Sequence, residues 1–525
     1  MGKSLFIILK YPVITTLNCF RTTGCTDDKK HGNTWKSENY VVVSILSVIG
    51  FLILMGTLID VMRRNEDVIT KDNTNKKAGT VYQLITAFSL YSNLEFIFQQ
   101  NNQKGTNRLD CLDGIRSISM TWVILGHNFL FGAAFLHGRN AEYINAVRSD
   151  HAGGVAFEAI NKDLSVDTFL FIGSTLLSYL LMKDLDKSNG WFHAKGPLRV
   201  FLFYLNRYLR LTIPFALTIA VYIGIIPLFI NQTMGARMFA LQEANECSKS
   251  WWRHILYINI WPDANHSTDG CIGQTWYLAF EMEWFLASPL LIYPLWMGKF
   301  GKAQKVIGIL WWTVWFLAFY HFNIIWASDP DGYQRFADKW YLPSWDFAPY
   351  GGRSHCYMLG LMMGYILHNT KNSDIKMPWL VNIAVWTVVS GVALSIIYGT
   401  YDMDTWPKYK AWLTTFRALW GLCLGWVVFA CVKGYGGPIN DFLSWGLWGP
   451  ISKISFMTYL FHMSFNWYYF AMQDYNVDFS MWLLTETFVA QVFVALFTGL
   501  IACLTLELPF GKIQKLLLGK LMGAK

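Results

Sequence analysis

The chain reads as an all-α integral membrane protein, a polytopic bundle of about eleven transmembrane helices, and two observations predict it. Of its 525 residues, 54% are hydrophobic and 15% charged, against about 25% charged in a soluble chain. A globule in water has too little interior to hide so many apolar side chains, so much of the surface must face lipid. Apolar runs of the length that crosses hydrocarbon, about 20 residues as a helix, also recur from end to end. The net charge of +8 lies mostly in loops and tails, where it bears on orientation in a membrane, and no nucleic-acid partner is expected.

Residues 1–39 form a short tail whose apolar run is interrupted by Lys10, Tyr11 and Pro12, unlike a signal peptide. The first span follows at 40–62. Residues 63–110 link it to the rest, and in them Val81, Leu84, Phe88, Tyr91, Glu95 and Phe98 share one helical face. Such a face suits a helix lying on the membrane surface and, equally, one packed on protein. Further spans are expected near 113–135, 165–182, 208–230, 275–296, 306–322, 355–368, 379–398, 414–432, 452–469 and 483–506, with that at 355–368 short enough to be tilted or broken. Residues 111–510 then make one transmembrane domain and 511–525 a basic tail.

Lys and Arg stay on the cytosolic side of a membrane. One set of alternate connections carries 24 of them and the other 17, six of these in the N-terminal tail. The poorer set includes the loop after the fourth span, which holds the glycosylation sequons at Asn231 and Asn265 together with Cys247 and Cys271. Sequons and a disulfide both belong to an oxidising lumen or exterior. The expectation is a lumenal or extracellular N-terminus and a cytosolic C-terminus, in the endoplasmic reticulum or the plasma membrane.

The second span opens CLDGIRSISMTWVILGHNF, with Arg116 just inside its cytosolic end and His127 eleven residues on. Eleven residues advance about 16 Å and return to within roughly 20° of the same face, so one helical stripe joins the cytosol to mid-membrane. An ionisable group there costs about 2.5 to 3.5 kcal/mol unless it faces a bundle interior or a wet cavity. The spacing alone also suits a snorkelling arginine and a hydrogen-bonded core histidine.

With this Arg, ten residues, then His, the chain resembles the acyltransferase-3 family of multipass membrane enzymes. Leu112-Asp113-Gly114-Ile115-Arg116 and Gly126-His127, SVDTFLFIGSTLLSYLL, NRYLRLTIP, WWRHILYINI, CIGQTWYLAFEMEWFLASPLLIYP, GGRSHCYMLGLMMGYIL and SKISFMTYLFHM are similar to its animal branch, the nose-resistant-to-fluoxetine proteins, from about residue 80 to the end. The resemblance implies a fold of about ten helices, to which an N-terminal one is added here. Relatives in the branch usually carry a larger cysteine-containing lumenal domain before the first span, and Cys19 and Cys25 look like its last part.

The resemblance further implies a cytosolic acyl-CoA as donor, His127 as base, and an acceptor on or across the membrane. A neutral imidazole suits that task. Arg116, with Arg207 and Arg210 of the NRYLR stretch, would make a cationic cluster for coenzyme A phosphates, although arginines at such a position also serve as positive-inside anchors. Asp167, and Glu281 about 9 Å inside its span, are each able to orient the imidazole if near it, the alternative for at least one being to cap a helix or meet lumenal water. Arg353 and His355 match family positions and are candidates for orienting the histidine or contacting a polar acceptor. His462 is read as bridging helices, and Trp276 and Tyr277 as an aromatic belt. No zinc-ligand cluster, nucleotide loop or serine elbow occurs, so neither a metal nor a resident cofactor is expected. The expected partners are membrane lipids, acyl-CoA and an acceptor of unknown identity. The competing function is a lipid or hydrophobic small-molecule transporter on the same fold, with a membrane scaffold as a third.

Overall fold

A computed structural model describes residues 35–70, 79–99, 109–135, 164–191, 196–229, 234–260, 271–328, 353–398, 406–471 and 480–521. The expected N-terminal tail to residue 34, with Cys19 and Cys25, and the sequon residues Asn231 and Asn265 lie outside them.

The described residues are helical almost throughout. α1 (Ser37–Thr70) is followed by two short helices, α2 (Thr80–Thr86) and α3 (Leu90–Phe98). Then come α4 (Cys111–Phe135), α5 (Leu164–Ser188), α6 (Gly196–Gly224), α7 (Ile226–Phe229) and α8 (Met234–Ile255). α9 (Trp276–Met297), α10 (Lys302–Ser328), α11 (Ser354–Thr370), α12 (Trp379–Tyr398) and α13 (Trp406–Val432) follow. The chain closes with α14 (Gly437–Leu443), α15 (Trp448–Ala471), α16 (Met481–Ala502) and, after a π-helical turn at Cys503–Glu507, α17 (Leu508–Leu521).

All eleven expected spans fall on helices. Seven of the described helices are long and apolar enough to cross a membrane: α1, α5, α6, α10, α12, α13 and α16. The expected spans on α4, α9, α11 and α15 fall on the helices that carry Arg116, Glu281, His355 and His462. Lipid and protein faces separate accordingly. Only 6% of the apolar window of α12 and 11% of that of α10 are buried, against 61% for α5, which therefore lies at the centre.

The centre is held by close backbone approach. α11 is short but unbroken, and packs along α5 through Gly360 and Gly364, four residues apart. A Cβ at Gly364 would stand 2.6 Å from that of Ser178, and one at Gly360 would run into the Phe171 carbonyl. This is the small-xxx-small packing by which helices associate where no hydrophobic drive exists. α9 contains Pro289 and Pro294, each of which removes a backbone donor. The carbonyls four residues earlier are satisfied from outside the ladder: Phe285 O accepts from Ser288 Oγ at 2.8 Å and Leu290 O from Trp311 Nε1 at 3.0 Å.

Two expectations about the connections are corrected. The amphipathic stretch at 81–98 is two helices, not one, broken where Ser89 caps α3 by accepting from Ser92 N. Ser89 and Ser92 also donate to Asp60 of α1, at 2.6 and 2.5 Å. Phe88 is buried here whereas Val81, Tyr91 and Phe98 are exposed, so the six residues do not share one environment. The stretch after α6, read as a loop, contains the 22-residue helix α8.

Candidate functional site

Three neighbouring helices build the site. α15 packs between α4 and α16, and this brings His462 against His127, 335 residues apart in sequence. His127 Nδ1 lies 2.9 Å from His462 Nε2, and His462 Nδ1 lies 2.7 Å from the Tyr459 carbonyl. His462 is fully buried and His127 half-buried. The reading of His462 as a bridge between helices holds, and the group it bridges to is the imidazole of the signature pair.

Arg116, three turns back along α4, is half-buried and donates to Ser452 Oγ at 3.3 Å. Ser452 in turn donates to Asp113 at 2.7 Å. This network fixes the mouth of the stripe to the second turn of α15. Gly114 rests against the backbone of Leu443 at the same end.

The two carboxylates considered as orienters hold arginines. Glu281 of α9 pairs with Arg207 of α6, and Arg207 also lies 5.1 Å from the centre of the Phe285 ring. Arg207 thus sits inside the bundle as half of an ion pair, whereas Arg210 is exposed. Asp167 accepts from Arg353 at 3.1 Å and from Arg417 of α13. Arg353 is additionally stacked 5.0 Å from the Trp276 ring, and His355 is fully buried between the ring edges of Phe316 and Tyr320.

Trp276 and Tyr277 do not form a lipid-facing belt. Tyr277 packs edge-on to Phe169 and to Tyr459 and stands about one turn before Glu281 on α9. Its direction is inward. Tyr277 therefore links the ion pair to the Tyr459–His462 segment, whose rings are 5.8 Å apart.

A brace on the far side from Arg116 holds that segment. Cys247 of α8 and Cys271 are joined in a disulfide, and Cys271 leads directly into the turn Gly273–Thr275. From that turn Gln274 Nε2 donates to Leu460 O at 3.0 Å, while the Tyr459 hydroxyl donates to Gln274 O. Tyr222 of α6 donates to Leu460 O from another side at 3.1 Å. His254 Nδ1 lies 3.0 Å from Thr275 Oγ1, which donates its own proton to Ile272 O at 2.8 Å. Since that hydroxyl proton is committed, His254 must be the donor.

Burial and then the neighbouring Arg253 charge push the His254 pKa down to about 3. Burial pushes that of Glu243, on the same helix, up to about 8 against an opposing backbone hydrogen bond from Ile272. Gln274, Tyr459 and Arg417 were not singled out from the sequence. Arg417 carried a signal, being a charged residue inside an apolar span; Gln274 and Tyr459 carried none. Among the described residues no cluster of three or more His, Cys, Asp or Glu suits a metal ion.

Comparison with known proteins agrees with this architecture. A family model described as an acyltransferase domain matches residues 109–508. The chain is 26% identical over 499 residues to Nose resistant to fluoxetine protein 6 of Caenorhabditis elegans, covering 89% of this chain and 58% of that protein. It is 26% identical over 211 residues to Regulator of hypoxia-inducible factor 1 of the same organism, covering 39% of this chain and 38% of that one. The chain thus spans little more than half the length of the longer match. No solved structure matches. With the family model covering most of the chain and an all-helical multi-pass bundle beneath it, the protein belongs to the acyltransferase-3 family of membrane proteins.

Proposed function

We propose that the protein transfers an acyl group from cytosolic acyl-CoA to a hydroxyl or amine acceptor, a lipid or another molecule, with His127 as general base and Arg116 holding the donor. One observation carries the reading: the half-buried His127 imidazole is engaged by a second histidine and lies on the same helical stripe as Arg116. In this reading the Arg116 end faces the cytosol, in line with the basic loops there. The disulfide end faces the lumen or exterior, as does the N-terminus.

Arg116 binds coenzyme A phosphate, and Arg210, exposed on α6, adds a second positive charge. Arg207 acts through its pair with Glu281, which holds α6 to α9 close to Tyr277. The acceptor approaches from the side of Arg353 and His355. As its oxygen or nitrogen attacks the thioester carbonyl, its proton passes to the imidazole. The new C–O or C–N bond forms, the C–S bond breaks, and the coenzyme A thiolate takes the proton back.

The test uses the full chain in nanodiscs with labelled acetyl-CoA and longer acyl-CoAs, plus a crude lipid and metabolite extract. Free coenzyme A and labelled product are followed. Wild type should release coenzyme A and label an acceptor, and His127→Ala, shown to be folded, should lose about 10²-fold or more of the rate. Folded wild type that neither binds acyl-CoA nor releases coenzyme A above the variant would overturn catalysis. Lipid transport would then be the function to measure.

A further inference from the structure

Hydrogen-bond bookkeeping fixes which nitrogen of His127 carries its proton. A carbonyl oxygen can only accept, so at 2.7 Å from Tyr459 O the Nδ1 of His462 must carry a hydrogen. His462 is 1% exposed, a position where a second proton would place a full charge in the packed interior. A neutral His462 with its hydrogen on Nδ1 has a lone pair on Nε2. That lone pair faces His127 Nδ1 at 2.9 Å, so His127 must donate from Nδ1.

We propose that His462 is the positioning residue of the reaction: anchored to the Tyr459 carbonyl, it holds His127 in its Nδ1–H tautomer, so that the acceptor's proton is taken by Nε2. The proposal rests on the reading of His127 as base and adds which atom acts and what selects it. In Ser-His-Asp hydrolases the group that orients the histidine is a carboxylate. Here a neutral imidazole backed by a main-chain carbonyl selects the same tautomer without a buried negative charge, leaving Glu281 and Asp167 to their arginines.

The proton balance is simple. When Nε2 takes the acceptor's proton, His127 becomes an imidazolium whose Nδ1–H still donates to His462. That hydrogen bond, now charge-assisted, is stronger than in the resting state. Stabilisation that grows as charge develops lowers the barrier without tightening substrate binding. After the C–S bond breaks, the same proton leaves Nε2 for the thiolate sulfur, and both histidines return to their starting tautomers.

The anchor itself is braced. Tyr459 and Leu460 are held by Gln274 and Tyr222, and the Tyr459 ring lies against the His462 imidazole, inclined at 31°. The carbonyl that starts the chain is therefore fixed from two other elements, the turn after the disulfide and α6.

The test is nitrogen NMR on the full chain in nanodiscs, labelled with ¹⁵N-histidine, assigning His127 by its loss in His127→Ala. Wild-type His127 should show a protonated Nδ1 and a bare Nε2. His462→Phe keeps a ring but removes the acceptor, and should release that preference. His462→Gln sets an amide oxygen near the former Nε2 and should retain it. In turnover, His462→Phe should lower kcat by about 10²-fold or more while the KM for acyl-CoA stays within about twofold, and His462→Gln should recover most of the loss.

A wild-type His127 carrying its hydrogen on Nε2 would overturn the proposal, as would a His462→Phe protein with unchanged tautomer and kcat. Wild type with the expected tautomer but no acyl transfer would instead sink the acyltransferase reading and the base role, leaving the hydrogen-bond chain established.

Discussion

Asp167 at the start of α5 accepts a hydrogen bond from Arg353 at the start of α11, 3.1 Å away, with both side chains withdrawn from solvent. Its second oxygen holds Arg417 of α13. One carboxylate thus ties three helices together where α5 and α11 begin, and the central pair α5 and α11 enters the bundle in a fixed relation to α13.

Removing the shared anion should be severe, because two arginines would then face each other without it. Asp167→Asn is expected to destabilise the fold by about 3–5 kcal/mol, as for other broken buried ion pairs. Combining it with Arg417→Gln should cost less than the sum of the two single changes. A double-mutant cycle of thermal melts in detergent checks this, and strict additivity would show that the ion pair carries no coupling.

Arg116 is expected to act on binding, not on chemistry. A charge-assisted hydrogen bond to phosphate contributes about 1.5–3 kcal/mol, so Arg116→Gln should raise the KM for acyl-CoA by roughly 10- to 100-fold with little change in kcat. The same substitution should leave an acyl-pantetheine thioester, which lacks the nucleotide phosphates, nearly unaffected. Equal losses on both donors would mean that Arg116 serves the structure through Ser452.

Much of this was legible in the residues before the structure. Arg116 and His127 share one helix, so a 3.6-residue period suffices to put them on one stripe, and apolar length suffices to place the helices. The partner of His127 was not legible, because it depends on α15 lying beside α4 across 335 residues of chain. Position along a helix is readable from sequence and direction is not. Glu281 and Tyr277 lie on the helix expected for them, yet Glu281 turns to Arg207 and Tyr277 turns inward to Tyr459. Gly360 and Gly364 show a third kind of information: the spacing was present in GGRSHCYMLGLMMGYIL, but the surface it fits, Phe171 to Ser178, is on another helix.

The disulfide should matter for turnover as well as for stability. It closes a loop with a sequence separation of 24, for which a stabilisation of about 3 kcal/mol is typical. It also steadies the turn from which Gln274 grips Leu460. Replacing Cys247 and Cys271 by Ser should therefore lower the melting temperature, and Gln274→Ala alone, with the disulfide intact, should lower kcat through the loosened Tyr459 carbonyl. A Gln274→Ala protein with wild-type kcat would remove the brace from the account.

The last expectation concerns pH, and its sign differs between two residues of one helix. Glu243 and His254 lie eleven positions apart on α8, and both engage the segment Ile272–Thr275. His254, with its pKa pushed down to about 3, is neutral in the fold while the unfolded chain takes up a proton near 6.5. Its contribution is complete above 6.5 and is lost as pH falls, by about 2 kcal/mol at pH 5.

Glu243 runs the other way. With its pKa pushed up to about 8, it stays protonated in the fold while the unfolded chain ionises above about 4.5, so its contribution is complete in acid and is lost as pH rises toward 8. Between pH 7 and 5 the gain at Glu243, roughly 2 to 3 kcal/mol, offsets the loss at His254. Melts across this range should then show little net slope from the pair in wild type. His254→Gln should become more stable toward pH 5 and Glu243→Gln less stable. The burial of Glu243, opposed only by the backbone hydrogen bond from Ile272, is the cause on one side, and the burial of His254 next to Arg253 is the cause on the other. Parallel pH profiles for the two variants would show that these groups are hydrated in the protein.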